Sequence, residues 1–364
     1  MKTIVISGIN LFEGGPLSVY KDCLNSIIEN RLNEKNNIIA FVHKKELFKE
    51  YTDKITLIEL PKSRENYLYR IWYEYIYFYL YSRHKNIDVW LSLHDITPNV
   101  KAKKRYVYCH NASPFYKMTK TETRFAPRLK LFNLFYKYLY KINIRKNDYV
   151  IVQQDWIKKR FMQAFNIENI IVAHPDTSSI KDNGRPINYN NEVNSNLFFY
   201  PSVPRVFKNF EVICEAAQIL NKKGISNYKI VLTLDGTENS YSKYLINKYK
   251  EVENVKFVGL LKRENVYNYY AKSDCLIFPS KLESWGLPIT EYKNFGKPII
   301  LANTEYAKET LGTYDKVRFF DPNSSEDLAR ILEEYIDKRV EWDSIQLKMN
   351  PDTSSWSELL NIIL

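Results

Sequence analysis

The chain has 364 residues, 45% of them hydrophobic, and a formal net charge of +11 at pH 7. That length suits two domains of ordinary size and that apolar share fills two cores, which excludes a disordered chain. Cys23, Cys109, Cys214 and Cys275 form no C-x-x-C pair and no His cluster accompanies them, so neither a disulfide framework nor a zinc site is expected.

In chain order, short apolar runs predict strands near 3–7, 37–43, 55–60, 88–93, 105–109, 149–153 and 169–173, with helices between most of them. The opening Met-Lys-Thr-Ile-Val-Ile is too short an apolar run for a secretory signal, and no stretch approaches 18 uninterrupted apolar residues, so a cytoplasmic protein is expected. After the first strand, Glu13-Gly14-Gly15-Pro16 opens a helix. Glycines there let backbone approach a diphosphate or an acceptor closely, and a helix start offers N–H donors, although this is neither a G-x-G-x-x-G nor a Walker loop. His94 and Asp95 stand at a strand end and are candidates for the acceptor side. His110 directly follows the next strand.

Charge is unevenly placed. Residues 1–200 hold 31 Lys and Arg against 19 Asp and Glu, residues 201–364 hold 22 against 23, and residues 101–150 alone hold 13 against 2. That basic segment contains Lys101-Ala-Lys-Lys-Arg105 and an aromatic-basic run over 128–146. Upstream lies the Tyr-rich stretch 67–81, broken by Arg70 and Glu74 and so not suited to span a bilayer. Interleaved aromatics and cations suit an anionic membrane surface over 101–146, and they equally suit core helices with snorkelling Lys and Arg. No helix-turn-helix, zinc-finger or single-strand-binding signature is present, so no nucleic-acid partner is expected.

A polar, Asn-rich stretch at 178–195 is the natural linker. Beyond it the alternation is strict. Strands are expected at Leu197–Tyr200, Lys229–Leu234, Val255–Val258, Cys275–Phe278, Pro298–Leu301 and Val317–Phe320, with helices near 209–222, 240–251, 264–272, 287–295, 304–311 and 325–337. Such βα alternation implies a parallel, doubly wound sheet. The run Pro204-Arg205-Val-Phe-Lys208-Asn209 puts cations at a helix start with Asn209 as the expected cap, and Gly259-Leu260 follows the third strand.

Glu283-Ser-Trp-Gly286-Leu287-Pro-Ile-Thr-Glu291 sets two carboxylates eight positions apart around a strand-to-helix turn. Glu326 and Glu334 share that spacing but sit on the polar face of one helix, behind a Ser cap, where solvent explains them. Glu283 instead leaves a buried strand, where ligands of open α/β sheets bind. A carboxylate beside a phosphate site is costly unless sugar hydroxyls need an acceptor, so the pair fits a nucleotide-sugar. The last segment, 351–364, carries a Ser cap and an apolar stripe and makes a terminal helix.

With Gly296-Lys-Pro-Ile-Ile behind it, this motif resembles that of the family 4 retaining glycosyltransferases, and the likeness runs from about Asn196 to Ala329. The resemblance implies the GT-B architecture: α/β, two Rossmann-like doubly wound parallel-sheet domains facing a central cleft. Here these are 1–180 on the acceptor side and 195–345 on the nucleotide-sugar side, with the helix of 351–364 near or crossing the cleft. It further implies that Glu283 holds the donor sugar's hydroxyls, Glu291 the ribose and Lys208 the diphosphate. Gly286 and Leu287 would supply turn amides, Gly14 and Gly15 would face the donor phosphates, Gly259 and Leu260 would hold the nucleobase, and His110 would contact the sugar.

The family Arg lies five or six residues before the Lys, where this chain has Val203 and Ser202, so Arg205 is a displaced candidate. The expected function is retaining, metal-independent transfer of a sugar from a UDP-, GDP- or dTDP-linked donor to a hydroxyl of a glycan or polyprenyl-diphosphate-linked acceptor. Its place would be O-antigen or capsule assembly, peripheral on the inner face of the plasma membrane. No cofactor is expected, since no Asp-x-Asp motif follows a strand. The alternatives are a sugar-nucleotide epimerase or phosphorylase on the same fold, or a non-catalytic partner subunit.

Overall fold

A computed structural model of the protein describes residues 1–175, 196–344, 347 and 350–364. The Asn-rich linker expected at 178–195 lies outside the described residues. The chain divides into two compact units. The first comprises Met1–Phe115, the described residues from Leu131 to 175, and Asn350–Leu364; the second comprises Tyr116–Lys130 and the described residues from 196 to 347.

The first unit is built on seven parallel strands: β1 (Thr3–Ser7), β2 (Asn37–Val42), β3 (Thr56–Glu59), β4 (Val89–Ser92), β5 (Lys104–Cys109), β6 (Tyr149–Val152) and β7 (Ile170–Val172), in the order β3-β2-β1-β4-β5-β6-β7. β1, β2 and β4 are buried almost throughout, which is why they read as unbroken apolar runs rather than alternating ones. Helices cover the faces: α1 (Gly14–Glu29), the short α2 (Leu32–Lys35), α3 (Tyr67–Trp72) joined to α4 (Phe78–Ser82) by one π-helical turn, and, further along, most of the helix over 127–141 and all of that over 155–165. Both Gly14 and Gly15 lie in open space, and Gly14 has φ +62°.

Between these, α5 (Lys120–Phe125) is fixed by a reciprocal cap between Thr119 and Glu122. α6 (Pro127–Lys141) follows, and α7 (Asp155–Phe165) lies between β6 and β7. Phe125 packs on Tyr241 and Tyr244, which groups Tyr116–Lys130 with the second unit.

The second unit repeats the design with β8 (Asn196–Tyr200), β9 (Tyr228–Leu232), β10 (Val255–Phe257), β11 (Cys275–Phe278), β12 (Ile299–Ala302) and β13 (Val317–Phe320), in the order β10-β9-β8-β11-β12-β13, all parallel. Its helices are α8 (Phe210–Lys222), α9 (Ser240–Tyr249), α10 (Arg263–Lys272), α11 (Leu287–Lys293), α12 (Glu305–Leu311) and α13 (Ser325–Ile336). Each predicted strand and helix of this half is present within a few residues.

The last helix, α14 (Trp356–Ile363), lies in the first unit. Trp356, Leu359, Leu360 and Ile363 join the core beneath α1, and Trp356 stacks on Tyr108 with ring centroids 5.4 Å apart. The chain approaches it as an extra parallel bridge beyond β7, Ala173 against Thr353. No helix among the described residues is long and apolar enough to cross a membrane.

Candidate active site

In the second unit the strand order reverses between β8 and β11, so a crevice opens beyond their carboxyl ends. β8 leads into a single 3-10 turn, Val206–Lys208, before α8; β11 leads through Glu283 to Gly286 and α11. One backbone bond stitches the two loops together, the Lys281 N–H donating to the Phe207 carbonyl at 2.8 Å. Lys208 Nζ thereby meets Glu283 Oε1 in an ion pair. The two side chains are 17% and 14% exposed, sheltered enough for a strong interaction yet still reachable by a ligand.

The Tyr200 hydroxyl anchors this turn by donating to the Lys208 carbonyl at 2.9 Å. Burial, and then the Glu283 carboxylate, push the Tyr200 pKa well up, so it remains a donor. Asn209 does not cap α8 with its side chain. Its φ of 58° is left-handed, and a side-chain cap needs extended backbone, so its amide turns away to the carbonyls of Pro279, at 3.2 Å, and Pro322, at 2.8 Å.

Glu291 sits inside α11 and is 9% exposed. Its Oε2 accepts from the Tyr270 hydroxyl at 3.0 Å and its Oε1 from Arg263 at 3.3 Å. Each carboxylate oxygen carries two acceptor sites, so this bonding orients Glu291 without exhausting it. Burial first, and Glu291 second, keep the Tyr270 hydroxyl protonated. Sequence reading missed Arg263 and Tyr270. Their signal was the spacing of Arg263, Tyr267 and Tyr270 along one face of α10.

Gly286, between the two acids, has φ +90°, and a Cβ there would stand 3.1 Å from Ile289 and 3.8 Å from the Glu283 side chain. Only glycine lets the chain turn this sharply beside Glu283. Leu287 opens α11 and is 40% exposed. Gly259, just past β10, also has positive φ, and Asp235 Oδ2 would lie 2.9 Å from its Cβ; Leu260 beside it is exposed.

Arg205 is not part of the Lys208–Glu283 contact. Its side chain is exposed and lines a groove of about 320 Å³ with Phe125, Leu129, Phe207, Asn239 and Tyr241. Among the described residues its guanidinium makes no hydrogen bond or ion pair.

In the first unit, β4 ends at His94 and Asp95, and β5 at His110. Asp95, with φ 74°, folds its carboxylate back beneath β5. Oδ1 accepts from the backbone of His110 at 2.8 Å and of Asn111 at 3.0 Å, and from Tyr140 at 3.1 Å, while Oδ2 accepts from Tyr136 at 3.2 Å. Asp95 therefore holds the loop that presents His110, whose Nε2 is 3.7 Å from Oδ2. His94 is sealed, its Nε2 2.5 Å from the fully buried Glu74. Neither candidate for the acceptor side lines an open surface, because the left-handed turn at Asp95 rotates both inward; His110 stays partly exposed. Among the described residues no group of three or more His, Cys, Asp or Glu converges as a metal site would.

Residues 185–349 match the family model described as glycosyl transferases group 1. The O-antigen chain mannosyltransferase B of Escherichia coli is 27% identical over 128 residues, which cover 35% of this chain and about a third, 33%, of that protein's length. WaaG, a glycosyltransferase involved in lipopolysaccharide biosynthesis, superposes with a TM-score of 0.64 at 13% identity over 92% of this chain and 90% of its own. Anabaena Alr3699/HepE, in complex with UDP-glucose, superposes with a TM-score of 0.57 at 14% identity over 100% of this chain and 95% of its own. These likenesses establish the two-domain GT-B fold.

Proposed function

We propose that this chain, whose residues 185–349 match the glycosyl transferases group 1 model, is a retaining glycosyltransferase that moves a sugar from a nucleotide-sugar to a hydroxyl of a glycan or lipid-linked oligosaccharide. The observation that carries this reading is the Lys208–Glu283 pair at the β8–β11 switch point. A cation and a carboxylate side by side match a donor's two chemistries, a diphosphate that needs positive charge and a polyol that needs acceptors.

In this reading Glu283 holds the sugar hydroxyls and Glu291, oriented by Tyr270, holds the ribose. Lys208 stabilises the charge that grows on the departing nucleoside diphosphate. The bond from the anomeric carbon to the phosphate oxygen breaks, its electron pair leaving with the diphosphate. The acceptor oxygen bonds to the same face of that carbon, and its proton passes to the departing phosphate oxygen. His110, held by Asp95, contacts the sugar near the reacting carbon. Lys208 and backbone N–H groups fill the role that other transferase folds give to a divalent metal, so no metal or cofactor is required.

UDP-glucose bound to the HepE relative supports a nucleotide-sugar donor. The O-antigen and lipopolysaccharide relatives support a role in bacterial surface-polysaccharide assembly. The test is a thermal-shift screen of UDP-, GDP- and dTDP-sugars, followed by incubation of the best donor with bacterial lipid extract. One donor class raising Tm, and nucleoside diphosphate released only with acceptor present, supports transfer. Isomerised sugar-nucleotide formed without acceptor would establish the epimerase instead.

A further inference from the structure

Two helical segments of the first unit bury polar side chains while exposing large apolar ones. In α6 the buried positions are Asn133, Tyr136 and Tyr140, two of whose hydroxyls bond Asp95, while Leu131, Leu134, Phe135 and Tyr138 are 59–65% exposed. Those four follow one another at i, i+3, i+4 and i+7, a single stripe, and Ile142 continues it past the helix end. The segment from α3 through the π-helical turn to α4 behaves alike. It buries Arg70 and Glu74 beside the core residues Tyr73 and Phe78, and leaves Leu68, Ile71, Trp72, Ile76 and Leu80 exposed. Arg70 donates to the Tyr136 hydroxyl at 3.2 Å, so the two segments meet.

Single exposed leucines are ordinary, but ten large apolar side chains on two segments joined through Arg70 and Tyr136 mark an interaction surface. Its charge names the partner. Between Glu122 and Asp148 the sequence has no acidic residue, and Lys137 and Lys141 stand exposed beside the stripe. Between Glu65 and Asp88 the sole acid is Glu74, which is fully buried. A second copy of this face would set cations against cations. The basic run at 101–105 is not part of it, because Lys103 pairs with Asp88 at 2.7 Å and Lys104 with Asp148 at 2.9 Å at the amino end of β5.

We infer that the face formed by α3–α4 and α6 docks on an anionic phospholipid bilayer. The apolar stripes enter the headgroup boundary and Lys137 and Lys141 engage lipid phosphates. The inference rests on residues of the first unit, Leu131 onward in α6, and holds whether or not sugar transfer is the activity.

The experiment is flotation of the full chain with vesicles of phosphatidylglycerol mixed into phosphatidylcholine, and of phosphatidylcholine alone. Three variants are compared with wild type: Leu134→Ser/Phe135→Ser; Lys137→Glu/Lys141→Glu; and, matched in charge, Lys243→Glu/Lys250→Glu on the second unit. Wild type should partition to anionic vesicles at least about tenfold better than to neutral ones. The first two variants should lose about tenfold or more, and the matched control much less. Equal loss in the control would reduce the effect to net charge and overturn the inference. So would unchanged binding of the first two variants. A wild-type dimer in gel filtration that Leu134→Ser/Phe135→Ser dissolves would assign the face to self-association instead.

Discussion

Lys208 and Glu283 lie 75 residues apart and form an ion pair across two strand ends. The pair exists because a backbone bond from Lys281 to Phe207 zips the loops after β11 and β8 together. Removing one partner strands the other's charge in a sheltered site. Lys208→Ala should therefore cost about 1–3 kcal/mol in urea unfolding without ligand. Glu283→Gln should cost less, because the amide oxygen still accepts from Lys208.

Tyr270→Phe deletes the hydroxyl that orients Glu291 while keeping a ring that packs against Tyr267, Tyr292 and Phe295. If Glu291 binds ribose, steady-state kinetics should show donor KM rising by about 3- to 10-fold with little change in kcat, the loss of one neutral-to-charged hydrogen bond. A purely structural Tyr270 would lower stability and leave KM alone.

Asp95 gathers four donors beneath β5. Asp95→Ala leaves the Tyr136 hydroxyl and two backbone N–H groups without their acceptor, while Tyr140 keeps the Asn111 carbonyl at 2.9 Å, and it places alanine at φ 74°, so unfolding free energy should fall by about 3–5 kcal/mol. Asp95→Asn tolerates that backbone and keeps one acceptor oxygen, and should lose about half as much.

Much of this was legible in the chain. Cys275-Leu-Ile-Phe278 reads as a strand because both of its faces are buried, and its end locates Glu283. What stayed hidden depends on tertiary placement. Asn209 has a capping residue's identity, but its left-handed backbone disables the cap. Glu291 takes its partner from α10, 21 positions back, where nothing local requires it. The aromatic-basic helix 127–141 has apolar residues on more than one face, so composition could not say which face is outward; the polar anchor at Asp95 decides, by drawing Tyr136 and Tyr140 inward.

Gly286→Ala asks an L-residue to adopt φ +90° with Ile289 only 3.1 Å away. It should destabilise the second unit by about 1–3 kcal/mol, read from the shift of the urea midpoint, and reduce donor binding by displacing Glu283.

Lys293 is mostly buried, donating to the carbonyls of Thr310 and Leu311, each at 2.9 Å, and burial lowers its pKa to about 8. The folded state then holds fewer protons than the unfolded chain between about pH 8 and the ordinary lysine value, so this group's contribution to stability rises with pH across that window. Wild type should gain on Lys293→Met as pH is raised from 7.5 to about 9.5 in chemical denaturation, and a constant difference between the two would refute the shift.

The most direct measurement is calorimetric titration of a nucleotide-sugar and of its nucleoside diphosphate into wild type, Lys208→Ala and Glu283→Gln. Lys208→Ala should weaken both ligands by about 10- to 100-fold, whereas Glu283→Gln should weaken the nucleotide-sugar and leave the diphosphate nearly untouched. Wild-type affinity for both ligands in both variants would contradict the assignment of this pair to the two halves of the donor.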